Sequence, residues 1–337
     1  AILRLDAIAY LWKEIGTDCI HLPQTHNAVK LMRAILDVVA PDTILLTETN
    51  VPHEENISYF GNGRNEAQMV YNFTLPPLLY YSFVKQDAGV LANWARGLAL
   101  EAETITFFNF TASHDGIGVR PLEGILTAEE IEDLCREVKT AGGQVSTKRN
   151  ADGSDSPYEL NITYVDAILA DPASQQADRF LASQAIQYSL PGVPATYIHS
   201  LLGSRNWPEG VRKTGRARTI NRKKLDVDTL VNELEDPDSF RSRVFYPYLQ
   251  MIKTRRQQPA FHPNAGFEIL DCNSRVFGIK RHCQDQTLWA FTNVSAETVH
   301  IMFSDTGISA PLTDLISGER IETTSYALKP YQYVWLA

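Results

Sequence analysis

The chain has 337 residues, 44% of them hydrophobic and 21% charged, and a formal net charge of −9. This excludes a mainly disordered chain, and the length suits one large domain plus a small one, or two medium ones. The acidic balance leaves no overall basic footprint for duplex nucleic acid, and no apolar run approaches the roughly 18 residues of a membrane span, so neither partner is expected. Cys19, Cys135, Cys272 and Cys283 form no CxxC pair and no disulfide framework. Structural zinc is therefore not expected, and a reducing, cytoplasmic setting is.

Residues 2–9 read as a strand, apolar with two charges in the middle. Because the chain opens with Ala1 inside that strand, a preceding segment of the parent protein is expected, and a signal peptide there would be out of view. Residues 25–39 place Val29, Met32, Ile35, Leu36 and Val39 at helical spacing, with Pro41 as the stop. Strands follow at 43–47 and 67–72, and the stretch 75–98 is helical in character, with Pro76 and Pro77 near its start. The β-branched and aromatic run 104–110 reads as a buried strand. Thr127 and Glu130 form a capping box for a helix over 127–140, ended by Gly142-Gly143. Residues 144–160 contain Asp152-Gly153 and read as a hairpin excursion, placed near 142–170. A helix over 174–190, a strand over 193–199 and a helix over 239–257 complete this part.

Short strands separated by turns then follow at 267–270, 276–280, 287–292, 298–303 and 331–336. The expected organisation is α/β over 1–262 and a small all-β domain over 263–337. About five βα units are visible, where a closed (β/α)8 barrel has eight. The expected fold is the C-terminal part of such a barrel followed by the β domain.

Active sites of these barrels collect at the C-terminal ends of the strands. Three strands here run into carboxylates: Asp6 in Arg4-Leu5-Asp6, Glu48 in Thr47-Glu48-Thr49, and Asp115 in Ser113-His114-Asp115-Gly116. One acidic residue at a strand end is ordinarily an N-cap or a solvated charge; three on separate strands suit glycosyl transfer with retention, which needs a carboxylate nucleophile and a carboxylic acid across the sugar. Arg4 lies two residues before Asp6, on the same strand face, where its charge favours the ionised form. Glu48 follows Ile44-Leu45-Leu46, where partial burial near a second carboxylate would raise its pKa. Asp115 would stabilise positive charge in the transition state, with His114 adding a hydrogen bond.

These residues resemble a family. R-L-D-A at Arg4, E-T-N at Glu48 and S-H-D-G-I-G-V around His114 resemble three of the four signature regions of glycoside hydrolase family 13, the α-amylase family. K-E-I-G-T at Lys13 and R-x-I-N-R at Arg218 look like its sucrose phosphorylase branch. The run from Leu45 to Gly61 and G-R-A-R-T-I-N-R from Gly215 look most like that branch's glucosylglycerate and sucrose 6-phosphate phosphorylases. The resemblance covers essentially the whole chain. It implies Asp6 as nucleophile, Glu48 as general acid/base and Asp115 as transition-state stabiliser, with Arg4 and His114 in a glucose pocket and Arg222 and Arg218 at its floor. It implies an α-glucoside and phosphate as small-molecule substrates, α-glucose 1-phosphate as product, and no organic cofactor. The family's remaining signature, an Asp and an Asn-His pair, has no counterpart in the sequence.

Arg212 to Lys224 contains seven Lys or Arg and reads either as a solvated loop or as a phosphate and sugar clamp. Arg120 and Arg205 each follow a strand end and are candidates for an acceptor subsite. His21 and His26 lack the further ligands of a metal site, and no metal is expected. The alternatives are an α-glucosidase or transglucosidase on the same scaffold, a non-catalytic partner protein that keeps the barrel, and a fragment inert by itself.

Overall fold

The computed structural model describes residues 1–150, 152–169, 172–306, 308 and 311–337. Five parallel strands form one sheet in chain order: β1 (Ile2–Leu5), β2 (Ile44–Thr47), β3 (Met69–Tyr71), β4 (Thr106–Asn109) and, after the excursion, β7 (Val193–Pro194). Each pairs with the next in parallel register, from Ile2 opposite Ile44 to Asn109 opposite Pro194. Sequential parallel strands joined by helical crossovers make an arc of a (β/α)8 barrel of five strands, the number read from the sequence.

The helices that cover this arc are α1 (Pro23–Val39), α2 (Leu75–Lys85), α3 (Gly89–Ala95), α4 (Ala128–Thr140), α5 (Gln176–Ser189) and α6 (Phe240–Arg256). Thr127 and Glu130 make the expected capping box of α4. The single helix expected over 75–98 is two. Gln86 adopts φ 53°, and Asp87 accepts the Gly89 amide at 2.7 Å, which starts α3 on a new axis. The strand expected over 193–199 is only β7, because Pro194 removes a ladder donor; Ala195 N–H still donates to Asn109 at 2.7 Å before a helical turn begins at Ile198. The first strand likewise ends at Leu5 rather than at residue 9, since Ala7 turns left-handed at φ 46°.

Between β4 and β7 stands the hairpin of β5 (Gln144–Arg149) and β6 (Asp155–Asn161), with Ile117–Gly118 paired against β6. Position 170, the far end of the excursion read from the sequence, lies outside the described residues.

The C-terminal region is all β. Its main antiparallel sheet has the order Tyr333–Leu336, Thr287–Asn293, Val276–His282, Gly266–Ile269. Val299–Met302 pairs with Ser325–Leu328, a strand the sequence reading missed. This region shares a core with the barrel. Phe261 packs on Trp335 at 4.7 Å between ring centres. Arg281, fully buried, donates to the carbonyls of Ser189 and His262 at 2.9 and 2.8 Å. Burial, and the nearby charge of Arg255, lower its pKa to about 9.

The opposite edge of the sheet is open. Ile2 and Leu3 of β1 are 53% and 46% exposed, and Val38 and Val39 of α1 are 83% and 70% exposed. Of the apolar stripe of α1, only Val29 is buried.

Candidate active site

The C-terminal ends of β1, β2 and β4 carry the three carboxylates. Asp6 follows β1 directly, and Arg4 Nη1 reaches back to Asp6 Oδ1 at 2.5 Å. The other side of the same guanidinium donates from Nε to Tyr71 Oη at 3.1 Å, at the end of β3, and Nη2 lies 3.9 Å from Glu48 Oε2. Arg4 therefore sits between the ends of three strands.

Glu48 is placed by β2, whose residues Leu45 to Thr47 are all buried, and its amide donates to Leu5 O at 3.1 Å. The left-handed turn at Ala7 aims that residue's N–H at Glu48 Oε2, 2.9 Å away. Burial raises the Glu48 pKa above the ordinary carboxylate value. The Ala7 N–H and the Arg4 charge oppose the rise, while Asp6 and Asp115 add to it. This is the direction read from the apolar run before it.

Asp115 lies past β4 on the segment Ser113–Gly116. Arg218 Nη1 and Arg222 Nη2 both donate to its Oδ1, at 2.6 and 3.1 Å. Its own amide donates to Ser113 Oγ at 3.1 Å, and His114 Nε2 stands 3.6 Å from Oδ2. Arg222 also donates from Nε to the His114 carbonyl. Asn221 Nδ2 donates to the Asp115 carbonyl at 2.9 Å. So Arg4, Asp6, Glu48, His114, Asp115, Arg218 and Arg222, chosen from sequence, form one neighbourhood. A cleft of about 710 Å³ lined by Ser146, Glu159, Arg218 and Arg222 opens beside it. A smaller cavity between Leu98 and Phe267 lies under the other end of β4 and touches none of the three carboxylates.

The two acceptor candidates sit differently. Arg120 contacts Glu55 at 3.5 Å, and its buried Nε has no hydrogen-bond partner among the described residues. Arg205 donates from Nε to the buried Asp166 and lies over the Phe240 ring. His21 bonds Tyr59 and Glu55 at 3.0 and 2.9 Å, and His26 bonds Glu66 at 2.9 Å. Among the described residues no group of three or more His, Cys, Asp or Glu is arranged to hold a metal. No helix among them is long and apolar enough to cross a membrane. Among the described residues no cysteine takes part in a disulfide.

Sequence reading missed Tyr71, Asn221, Glu159 and the Ala7 amide. Tyr71 ends β3, so the strand-end rule would have found it had it been applied to hydroxyls as well as acids. The Ala7 amide leaves no trace in composition or spacing.

Parallel strands that deliver acids to a common rim, backed by an all-β C-terminal region, define an α-amylase-type barrel chain. No family model matches the chain. Among curated proteins it is 46% identical to the glucosylglycerate phosphorylase of Spirochaeta thermophila and 44% identical to that of Escherichia coli. In each case 99% of this chain and 60% of the relative are covered. Among solved structures, the sucrose 6F-phosphate phosphorylase from Thermoanaerobacter thermosaccharolyticum superposes with a TM-score of 0.75 at 24% identity, covering 96% of this chain and 60% of that one. Sequence and fold are thus similar to those of glycoside hydrolase family 13, in its sucrose phosphorylase branch. It spans about 60% of the length of these relatives.

Proposed function

We propose that the chain carries the catalytic carboxylates of a retaining glycoside phosphorylase. In this scheme Asp6 attacks the anomeric carbon of an α-glucoside while Glu48 protonates the departing oxygen. Phosphate then opens the glucosyl-enzyme and releases α-glucose 1-phosphate, and the two displacements retain configuration. Asp115 offsets the positive charge that develops on the sugar, and His114 and Arg4 bind its hydroxyls. Arg222 and Arg218 hold Asp115 from beneath. Phosphate is a co-substrate; no organic cofactor and no metal enter the scheme. The observation that carries this reading is Glu48: it stands beside Asp6 and Asp115 at the strand ends, and its burial raises its pKa, which is the direction an acid catalyst needs. A cytoplasmic setting suits cysteines that, among the described residues, form no disulfide.

The names of the 46% and 44% identical relatives favour glycerate as the acceptor. A carboxylate-bearing acceptor calls for a cation beyond the glucose pocket. Arg120 is better suited than Arg205: its contact with Glu55 is long, at 3.5 Å, and its Nε has no hydrogen-bond partner among the described residues, whereas Arg205 is held tightly by the buried Asp166. In the complete gene product, glucosyl transfer from α-glucose 1-phosphate should favour glycerate over fructose, fructose 6-phosphate and glycerol. Arg120→Ala should erode that preference by about ten- to a hundredfold in kcat/KM, while Arg205→Ala should change it less. A preference for fructose or its phosphate in the unmutated protein replaces the glycerate reading by a sucrose-type one. Cleavage indifferent to phosphate replaces it by an α-glucosidase or transglucosidase. Expressed by itself, the 337-residue polypeptide is expected to be inactive, because β1 and the Asp6 side chain lie open to water.

A further inference from the structure

A buried glutamate on the hairpin faces the catalytic segment and has no part in the scheme above. Glu159 lies near the end of β6 and is 5% exposed. A buried carboxylate is costly unless its oxygens are fully engaged. One oxygen of Glu159 accepts the Gly116 amide at 2.8 Å, and the other accepts Arg218 Nε at 2.9 Å. Both partners lead to the same place. Gly116 is the residue after Asp115, and Arg218 uses its Nη1 to hold Asp115 Oδ1 at 2.6 Å.

The approach is close enough to dictate a residue type. A Cβ on Gly116 would lie 2.6 Å from both Glu159 Cγ and the Leu160 carbonyl oxygen, so only glycine lets the hairpin seat here. The charges also balance. Asp115 and Glu159 stand against Arg218 and Arg222, two of each sign, and the ion pairs run Arg218–Asp115, Arg218–Glu159 and Arg222–Asp115. Without Glu159, two guanidiniums would act on Asp115 alone. Its negative field toward a sugar cation would be weakened and its side chain pulled toward Arg218.

We propose that Glu159 is a positioning residue: through Arg218 and the Gly116 amide it fixes the orientation and effective charge of Asp115, and so makes glucosyl transfer depend on the seating of the β5–β6 hairpin. This rests on the role proposed above for Asp115.

The test is a double-mutant cycle in the complete gene product, with kcat and KM for the glucoside and a thermal melt for each variant. Glu159→Gln keeps the side-chain shape and one acceptor oxygen but removes the charge. It should lower kcat by about ten- to a hundredfold, the scale of a misplaced catalytic group, with KM and melting temperature little changed. Arg218→Met should cost at least as much. Adding Glu159→Gln to Arg218→Met should cost clearly less than the same change in the unmutated protein, because only the Gly116 contact of the lever is left. Glu159→Asp, charged but one methylene shorter, should fall between Gln and the unmutated protein. An unchanged kcat in Glu159→Gln, or two losses that simply multiply, overturns the proposal. If Glu159→Gln does not fold, Glu159→Asp takes its place in the cycle under the same criteria. Should the unmutated protein hydrolyse glucosides without using phosphate, the phosphorylase reading falls, yet the cycle is still read on hydrolysis, which needs the same charge on Asp115.

Discussion

Asp6 and Asp115 are the same side chain at the ends of strands in one sheet, yet the protein holds them in opposite ways. Asp6 is 72% exposed and is met by one guanidinium from two residues away. Asp115 is 23% exposed and is gripped by two arginines 103 and 107 residues further along the chain. The surroundings follow suit. On the Asp6 side, β1 is an open edge and Ile35, Val38 and Val39 of α1 are exposed; on the Asp115 side, the barrel is sealed by α5, α6 and the C-terminal sheet. The two residues differ in support, not in chemistry. The support of Asp115 is tertiary and distributed, whereas that of Asp6 is local and, among the described residues, comes from Arg4.

The largest expected effect falls on the weakly supported side. Asp6→Asn should lower turnover of the complete gene product by roughly three orders of magnitude or more, because an amide cannot form the glucosyl ester. Retention of activity within about tenfold would show that exposure, not chemistry, describes Asp6.

A second comparison is read in stability. Trp335→Ala, at the sealed interface, should cost about 3–5 kcal/mol in denaturant unfolding, the range for deleting a large buried aromatic. Val38→Ser on the exposed face of α1 should stay within about 0.5 kcal/mol. A large loss from Val38→Ser would mean that this face is covered in the protein measured, and that the open edge belongs only to the 337-residue chain.

The smallest effect is on pH dependence. A general acid works while protonated, so activity should fall as pH rises through the Glu48 pKa. Because burial has raised that pKa, the alkaline limb should lie above the ordinary carboxylate range. Arg4 lowers the Glu48 pKa, so Arg4→Met should move the limb further up. A downward move in the kcat/KM profile would assign the limb to another group.

The clustering of Asp6, Glu48 and Asp115 at strand ends was legible in sequence because a strand is a short apolar run, and Asp6 and Glu48 follow theirs directly while Asp115 lies on the segment after Asn109. The five strands were legible for the same reason. What escaped depended on encounters between distant segments. Glu159 looks like any polar residue of an alternating hairpin strand until Arg218, 59 residues on, closes over it. The left-handed turns at Ala7 and Gln86 occur at residues that seldom adopt them, so nothing local announced where a strand or a helix would stop. Pro194 did announce a limit, and reading 193–199 as one strand overlooked it.

Arg281 carries a last consequence. Its buried guanidinium is bonded by carbonyls at the end of α5 and on the segment leading into the C-terminal sheet. Those carbonyls converge only when the two regions are docked in one relative position. A slipped or half-docked arrangement would leave a cation stranded in a dry interior, so partial assembly is disfavoured more strongly than apolar contact alone would require. Barrel and sheet should therefore melt as a single cooperative unit, and cutting the chain between them should unravel both.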